Sequence, residues 1–206
     1  MVLPQPSDLL SQIRKGDMEA WIALTDRYSN LLWSIARSLR MSDSDAADAV
    51  QTTWLRLVEN LDAIRDPDRV GSWLATTVRR ECYDISRRAA RMRPGEPDGP
   101  DGWAGIGAPD DPLDGALLRD ERDATLWRVF GRLRPLCRRL LRVLIADPAP
   151  SYQEIAAALD ISVGSIGPTR QRCLKGLRSL LLAEDAQLLE GLEGASAAKP
   201  AEGRKG

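Results

Sequence analysis

The sequence SYQEIAAALDISVGSIGPTRQRCLKGLR, which spans residues 151–178, contains the clearest helix signals in the chain. Its first four residues place Glu154 three positions after Ser151, which is the spacing of a capping box. In that motif each side chain accepts a hydrogen bond from the backbone of the other residue. A short helix is therefore predicted to begin here and to run through Leu159.

A tight turn at 160–162 joins this short helix to a longer one, predicted over about 163–182. The aspartate that begins the turn tolerates the left-handed backbone conformation. The small side chain of Ala156 lets two helices cross closely, and Ile161 and Ile166 are expected to bridge them. A helix, a short turn and a second helix are the layout of a DNA-binding helix-turn-helix.

Charge supports contact between this region and nucleic acid. Residues 122–178 carry eleven basic and four acidic side chains, a net charge of +7, and such a field attracts phosphate. A helical hairpin with a solvated basic face is the alternative explanation of the same charges. If the region binds DNA, the candidates for phosphate and base-edge contacts lie at exposed positions of the second helix. They are Ser165, Thr169, Arg170, Arg172 and Lys175.

Upstream of the helix-turn-helix, the composition changes abruptly at 94–114. This segment holds five prolines, five glycines and six acidic residues, with neither lysine nor arginine. Such a composition predicts a flexible, extended, acidic linker. On its N-terminal side, apolar residues again recur at helical spacing. The chain is therefore predicted to be all-α, with two helical modules joined by the linker.

Helical spacing accounts for most of the N-terminal module. Apolar residues at 9–39 follow one helical face that includes Ile22, and Gly16 marks a break between two helices. The next helix has a capping residue in Ser42 and an apolar face that includes Val58. Both faces are expected to pack into the core of the module.

The last helix of this module, at 72–93, is amphipathic and strongly basic. Leu74, Val78, Cys82 and Ile85 are predicted to face the core, which leaves most of the arginines outside. A solvated charged face is the simpler explanation of these arginines. The alternative is contact with nucleic acid, since aromatic and arginine side chains suit unstacked bases and phosphates.

Composition argues against several other classes of protein. The chain of 206 residues has no histidine, so it lacks the usual general base near neutral pH and the commonest transition-metal ligand. Its cysteines never form a C-x-x-C pair, and it has no glycine-rich phosphate loop. We therefore expect a protein that is not an enzyme and needs neither metal nor cofactor. Without about 18 consecutive apolar residues or a signal peptide, it is expected to stay in the cytosol.

The order of these features resembles that of a known family, the alternative sigma factors of the extracytoplasmic function type. The resemblance covers about residues 9–182. In the family, an acidic segment with a D-x-x-Q-x-x-aromatic core binds the largest subunit of bacterial RNA polymerase. The sequence DAADAVQTTWL at 45–55 is similar to that segment. The resemblance therefore implies polymerase binding by Asp48, Gln51, Trp54 and Leu55.

A second part of the resemblance lies in the basic helix. The sequence GSWL at 71–74 and the charged residues after it look like the family's loop and helix that open and read the minus-10 promoter element. One departure is Arg80, which stands where the family commonly has asparagine. The resemblance implies minus-10 contacts by Ser72, Trp73, Arg79, Arg80, Asp84, Arg87 and Arg88.

The helix-turn-helix resembles the family's reader of the minus-35 element, and LRP at 133–135 resembles the leucine-proline sequence that precedes it. The five candidates named above for the second helix are the implied minus-35 contacts. That helix departs from the family's V-K-S-R-L pattern, since it reads IGPTR at 166–170. Because proline is tolerated only in the first turn of a helix, Pro168 favours a helix that starts a little later than in relatives.

The resemblance also predicts domain bounds and partners. Residues 1–93 correspond to the polymerase and minus-10 region, 94–114 to the linker and 115–183 to the minus-35 region, and 184–206 form a largely disordered tail. The implied partners are bacterial core RNA polymerase, promoter DNA and an anti-sigma factor, and no membrane insertion is expected. The competing interpretation is a helix-turn-helix regulator that binds DNA without being a polymerase subunit.

Overall fold

The computed structural model describes residues 4–92 and 121–197. The predicted linker at 94–114 and residues 198–206 of the predicted tail lie outside these ranges. Within the described ranges the regular secondary structure consists of helices, which confirms the all-α prediction. The α-helices are α1 (Pro6–Ile13), α2 (Met18–Ser38), α3 (Asp43–Glu59), α4 (Val70–Met92), α5 (Glu121–Gly131), α6 (Pro135–Leu144), α7 (Tyr152–Leu159) and α8 (Val163–Ala197).

Local sequence signals determine where the first helices begin. Gly16 adopts a positive φ of 85° between α1 and α2, a conformation that favours glycine. The Asp17 side chain then caps α2, because its Oδ1 accepts hydrogen bonds from the backbone N–H groups of Glu19 and Ala20 at 2.9 and 3.2 Å. Ser42 caps α3 in the same way, as its Oγ accepts from the N–H of Asp45 at 3.2 Å. The predicted helix break and the predicted cap are both confirmed.

Contacts divide the chain into two units, and the first contains α1 to α4, α6, α7 and the start of α8 up to Arg170. Helix α4 is central in this unit, because it packs against α2, α3 and α7. Leu74, Val78 and Cys82 of α4 are buried as predicted, whereas Ile85 is half-buried. Each fully buried leucine stabilises the fold by about 1.5 to 3 kcal/mol.

Two apolar residues lie outside the core, contrary to the sequence prediction. Ile22 of α2 and Val58 of α3 are both more than half exposed. Helical spacing identified an apolar stripe on each helix, but the neighbouring helices cover only part of that stripe. The prediction that these two side chains pack into the core is therefore wrong.

A buried ion pair joins α3 to α4. The carboxylate of Glu81 is almost fully buried and lies 2.7 Å from the Nε of Arg56, whose side chain is half-exposed. A buried carboxylate needs such a partner, because an uncompensated charge in the interior is costly. The pair therefore fixes how the two helices face each other.

The second unit contains α5 and the part of α8 that follows Arg170. Glu184 joins these helices, since its two carboxylate oxygens lie 2.9 Å from guanidinium nitrogens of Arg128 and Arg132. On α5 itself, Trp127 and Phe130 make an edge-to-face contact with ring centroids 5.5 Å apart.

Helix α8 begins where the helical pattern predicted and continues beyond the predicted end. It starts at Val163 and includes Pro168 in its second turn, so proline does not prevent the helix from starting there. The first turns already bury Ile166, and this packing offsets the hydrogen bond that proline cannot donate. The helix also continues to Ala197, beyond the predicted end at Leu182. Leucine, alanine, glutamate and glutamine dominate the added turns, and these residues have high helix propensity.

Candidate protein and nucleic-acid interfaces

The outer surface of α3 is unusually apolar for an exposed helix face. Asp48 and Gln51 are exposed there, followed by Leu55 and Val58, whose exposed fractions are 58% and 56%. The opposite side of the helix buries Leu57 completely. Helix α3 is thus apolar on both sides of its last turns, although only one side contacts the core.

Two tryptophans complete this surface. Trp54 lies half-buried against Trp21 of α2, with ring centroids 5.9 Å apart and the planes at 69°. The edge-to-face contact holds the indole of Trp54 in a fixed position. The structure brings three of the four predicted polymerase-binding residues together in one shallow groove, and exposed Asp48 lies one turn before it on α3. The groove is lined by Trp21, Gln51, Thr52, Trp54, Leu55 and Val58.

Sequence reasoning missed Trp21, Thr52 and Val58 as members of this groove. Val58 was assigned to the core because it fits an apolar helical stripe, and Trp21 belongs to the apolar residues at 9–39 that were assigned to the core for the same reason. A useful signal was available, since Leu55 and Val58 lie three residues apart and share a helical face. That face is separate from the one that contains Leu57.

Helix α4 carries the seven predicted minus-10 residues, and they differ in exposure. Ser72 and Trp73 are half-buried in its first turn, and Asp84 forms an ion pair with Arg87 one turn later. Arg79 is covered, with an exposed side-chain fraction of only 12%. The exposed cations of the set are Arg80, Arg87 and Arg88.

The covered side of α4 faces α6 and α7. Nη1 of Arg79 lies 3.0 Å from Oδ2 of Asp160, at the end of α7. One turn further along α4, Tyr83 makes a side-chain hydrogen bond with Arg139 of α6. Burial is the main cause that lowers the pKa of Arg139 from its ordinary value, and the charge of Arg79 lowers it further. The helices thus bring cations together in a partly dry interface.

At the start of α4, the absence of a side chain permits close packing. A Cβ atom on Gly71 would overlap the carboxylate of Glu154 in α7 and would lie 2.7 Å from Cε1 of Tyr28. Burial raises the pKa of Tyr28 to about 12, and the nearby charge of Glu154 adds to that shift. Only glycine at position 71 allows Glu154 to approach this closely.

The predicted helix-turn-helix is present. Oε2 of Glu154 accepts a hydrogen bond from the N–H of Ser151 at 2.7 Å, and Oγ of Ser151 accepts from the N–H of Glu154 at 3.3 Å. The predicted capping box is therefore confirmed. Asp160 ends α7 in the left-handed conformation, with φ 59° and ψ 47°. Ile166 is fully buried, as expected of a residue that bridges the two helices.

The five predicted minus-35 residues all lie on α8 and differ in exposure. Ser165 is half-buried, and its Oγ donates a hydrogen bond to the carbonyl of Ser162 at 2.7 Å. Thr169 is only 7% exposed, so its predicted position on an exposed face is wrong. The helix turns Thr169 toward the side that also buries Ile166, a distinction that residue type alone does not reveal. The exposed members of the set are Arg170, Arg172 and Lys175.

Comparison with known proteins agrees with this geometry. The family model described as sigma-70 region 2 matches residues 24–92, which contain most of α2 and all of α3 and α4. The ECF RNA polymerase sigma factor SigE of Mycolicibacterium smegmatis is 25% identical over 171 residues. That match covers 82% of this chain and 65% of the relative's length. Residues 24–92 are therefore similar to sigma-70 region 2, and most of the chain is similar in sequence to a sigma factor of the extracytoplasmic function type.

A solved structure extends the similarity of this chain beyond α4. CnrH, in its complex with the cytosolic domain of CnrY, has a TM-score of 0.53 and 27% sequence identity to this chain. The similarity covers 85% of this chain and 96% of CnrH. The likeness therefore concerns the fold of most of the chain, whereas the region 2 match alone contains the α3 residues of the groove and the basic face of α4.

Within residues 4–92 and 121–197, no helix combines the length and apolar character needed to cross a membrane.

Proposed function

We propose that this chain is an alternative sigma factor, which binds bacterial core RNA polymerase and directs transcription to selected promoters. The observation that carries the proposal is the exposed apolar surface of α3 inside the segment that matches sigma-70 region 2. The aligned part of the chain spans 65% of the length of its curated relative SigE, which is less than two thirds. The activity of the whole protein is therefore proposed from the sites that this chain carries.

The α3 groove fits a protein partner better than free DNA. Leu55 and Val58 expose apolar surface that gains free energy only when another apolar surface covers it, by about 25 cal/mol for each Å² buried. Trp54 adds a large, rigid side chain, and such residues often dominate the binding energy of protein interfaces. Asp48 and Gln51 supply polar contacts beside the groove. We assign these residues to core polymerase.

The basic surfaces suit promoter DNA. Trp73 and the exposed arginines of α4 are assigned to the minus-10 element, where an aromatic ring can stack on an unpaired base while guanidinium groups contact phosphates. The exposed cations Arg170, Arg172 and Lys175 of α8 are assigned to the minus-35 element, where a recognition helix reads base edges in the major groove. The bonds of the transcript would be formed by the polymerase, so the chain itself is proposed to be non-enzymatic.

Regulation by a second protein is part of the proposal. CnrH, whose fold is similar, is bound to the cytosolic domain of CnrY in its solved structure. We propose that a comparable protein of the anti-sigma type binds this chain. We also propose that the chain acts in the cytoplasm, where its polymerase and promoters are found.

The decisive experiment mixes the purified full chain with sigma-free bacterial core RNA polymerase and measures co-elution on size exclusion. The complex is then tested in run-off transcription from a promoter library. We expect a stable complex and transcripts from a restricted set of promoters. DNA binding by the chain without polymerase association would contradict the proposal and favour a helix-turn-helix regulator.

A further inference from the structure

The exposed side of α8 can be traced from its buried side. Ile166, Thr169 and Cys173 are all buried, at spacings of three and four residues, so they mark the inner side of the helix. An α-helix turns by about 100° per residue. Gln171 lies five residues after Ile166 and two before Cys173, and both offsets place it on the opposite side. Gln171 is accordingly exposed.

Three further residues share this side of α8 with Gln171. Residues at spacings of three, four and four form a continuous stripe along a helix. Every member of the stripe is exposed or half-exposed. We call this stripe the outer line of α8, and it consists of Gly164, Gly167, Gln171 and Lys175. Because its first two members are glycines, the outer line has no side chain before Gln171.

The first part of the outer line has no group that can read a base. A Cβ atom added to Gly164 or to Gly167 would meet nothing within 4 Å beyond its own helix, so the fold does not require glycine at either position. In most helix-turn-helix proteins, residues at the N-terminus of the second helix contact base edges. Side-chain contacts to bases along this line must therefore begin later in α8 than in that arrangement.

The other residues of the first turns offer few polar groups to DNA. The Oγ of Ser165 donates a hydrogen bond to the carbonyl of Ser162 at 2.7 Å, and the side chain of Pro168 has no polar atom. In the V-K-S-R-L pattern that α8 resembles, the lysine and the arginine correspond to Gly167 and Thr169. Since one is a glycine and the other a buried threonine, both basic side chains of that pattern are missing here.

Gln171 has the hydrogen-bonding groups that suit one particular base. Its side-chain amide holds an oxygen acceptor and an NH₂ donor side by side. Adenine presents an N6 donor and an N7 acceptor in the major groove, so glutamine can pair with it through two hydrogen bonds. The neighbouring Arg170 and Arg172 lie about 100° to either side of Gln171, so they flank the outer line and do not belong to it.

We propose that Gln171 determines the base preference of the minus-35 contact, by pairing with an adenine in the major groove. Gly164 and Gly167 precede it on the outer line without side chains, so they contribute no base preference of their own. Lys175 follows it by one turn and adds a positive charge to the same line. This inference rests on the proposed function, because it assigns α8 to promoter DNA, and it adds the base that the helix prefers.

The test selects DNA with the purified full chain from double-stranded fragments that contain a randomised segment of about 12 base pairs, a little more than one turn of the duplex. Selection is performed at one fixed salt concentration, with and without core polymerase. We expect the fragments selected by the wild type to share a strongly preferred adenine. Gln171→Ala should lose that preference and bind the best wild-type fragment about ten times more weakly. The matched control is Gln12→Ala, which removes the amide of an exposed glutamine in α1 and should retain both properties.

A second variant changes the base preference instead of removing it. Gln171→Arg keeps a long polar side chain at an exposed helical position, and arginine has high helix propensity. Arginine pairs with the O6 and N7 acceptors of guanine. We expect guanine to replace the preferred adenine at the same position of the selected fragments. A new preference cannot result from a loss of stability, so this variant separates base reading from folding.

An unchanged base preference in either variant would overturn the role of Gln171. An affinity loss that is equal for every fragment would also overturn it, because Gln171 would then contact only the DNA backbone. Selection by the chain alone needs no polymerase. If the preference responds as expected while the chain fails to bind core polymerase, the proposed function fails and the role of Gln171 stands. Promoter-selective transcription with an unchanged preference would have the opposite meaning.

Discussion

Helices α3 and α4 pack side by side, yet their outer faces break the usual pattern of a helix surface in opposite ways. The outer face of α3 leaves apolar Leu55 and Val58 exposed, whereas α4 has a cation, Arg79, that is largely buried and paired with Asp160 at the end of α7. Exposed apolar surface and buried charge both cost free energy in an isolated protein. Each departure therefore indicates a binding surface.

The two surfaces differ in where the partner is found. The α3 groove has no cover among the described residues, so its proposed partner is another protein. The Arg79 side of α4 has its partner within the chain, at Asp160 of the helix-turn-helix. The difference teaches that packing of the described helices leaves the apolar surface of α3 uncovered while it pairs the cation of α4 with a carboxylate.

The largest expected effect separates the two sides of α3. Leu57→Ala should lower the free energy of unfolding by about 2 to 5 kcal/mol, because the side chain is fully buried and its removal leaves a cavity. Leu55→Ala should change it by no more than about 0.5 kcal/mol, since that side chain faces solvent. Urea denaturation followed by circular dichroism measures both. An equal loss of unfolding free energy in the two variants would contradict the difference in burial between the two sides of α3.

A second prediction compares two exposed cations. Arg170→Ala should weaken binding to minus-35 DNA by about 1 to 3 kcal/mol if the side chain contacts a base edge. The control is Arg65→Ala, which removes an exposed arginine outside the proposed DNA surfaces. Both variants are measured at the same salt concentration, because phosphate contacts depend on it. An equal loss with Arg65→Ala would mean that Arg170 contributes only general charge.

The third prediction concerns the α3 groove itself. Leu55→Ala should weaken binding to core polymerase about tenfold, close to 1.4 kcal/mol, because part of a leucine side chain is no longer buried in the complex. The control is Ile145→Ala, which truncates another strongly exposed apolar residue outside the groove. Surface plasmon resonance with immobilised polymerase measures both affinities. If Ile145→Ala weakens binding as much, the groove is not the specific contact.

The smallest expected effect lies on the buried side of α4. Burial raises the pKa of the Cys82 thiol to about 12, whereas the pKa of a thiol in the unfolded chain is about 8.5. A raised folded pKa gives a stabilising contribution that is present below the unfolded pKa and is lost as pH rises toward the folded value. Between about pH 8 and pH 9.5 the loss is about 1 kcal/mol.

Cys82→Ala is the control for this pH dependence, because it removes the titrating group. Its free energy of unfolding should fall less steeply over the same pH range than that of wild type. The free energy of unfolding of each protein is compared with its own value at the lower pH. The cost of the cavity that the substitution creates is the same at both pH values, so it cancels. Parallel pH curves would contradict the buried, protonated thiol.

Much of the local structure was predictable from the sequence. The capping box of Ser151 and Glu154, the left-handed Asp160 and the cap at Ser42 all involve groups within a few residues of one another. The resemblance of residues 45–55 to the acidic segment also located three residues of the α3 groove, which are Gln51, Trp54 and Leu55. Such signals are readable because the interacting groups keep the same spacing whatever the rest of the chain does.

The solvent exposure of individual side chains was predicted less well than the local structure. Ile22 and Val58 fit apolar stripes but face solvent, and Thr169 is polar but buried. A helical stripe states which residues share a face, not how much of that face a neighbour covers. The part of the stripe that is buried is determined only when the other helices are in place.

The sequence by itself therefore determined the helices, their caps and the turn of the helix-turn-helix, because these depend on local hydrogen bonds and backbone preferences. Only the tertiary structure decided that Leu55 and Val58 form an open groove with Trp21, and that Asp160 covers Arg79. These contacts join residues far apart in the chain, and their formation depends on how whole helices pack. Burial and charge pairing are properties of that packing, which no short segment contains.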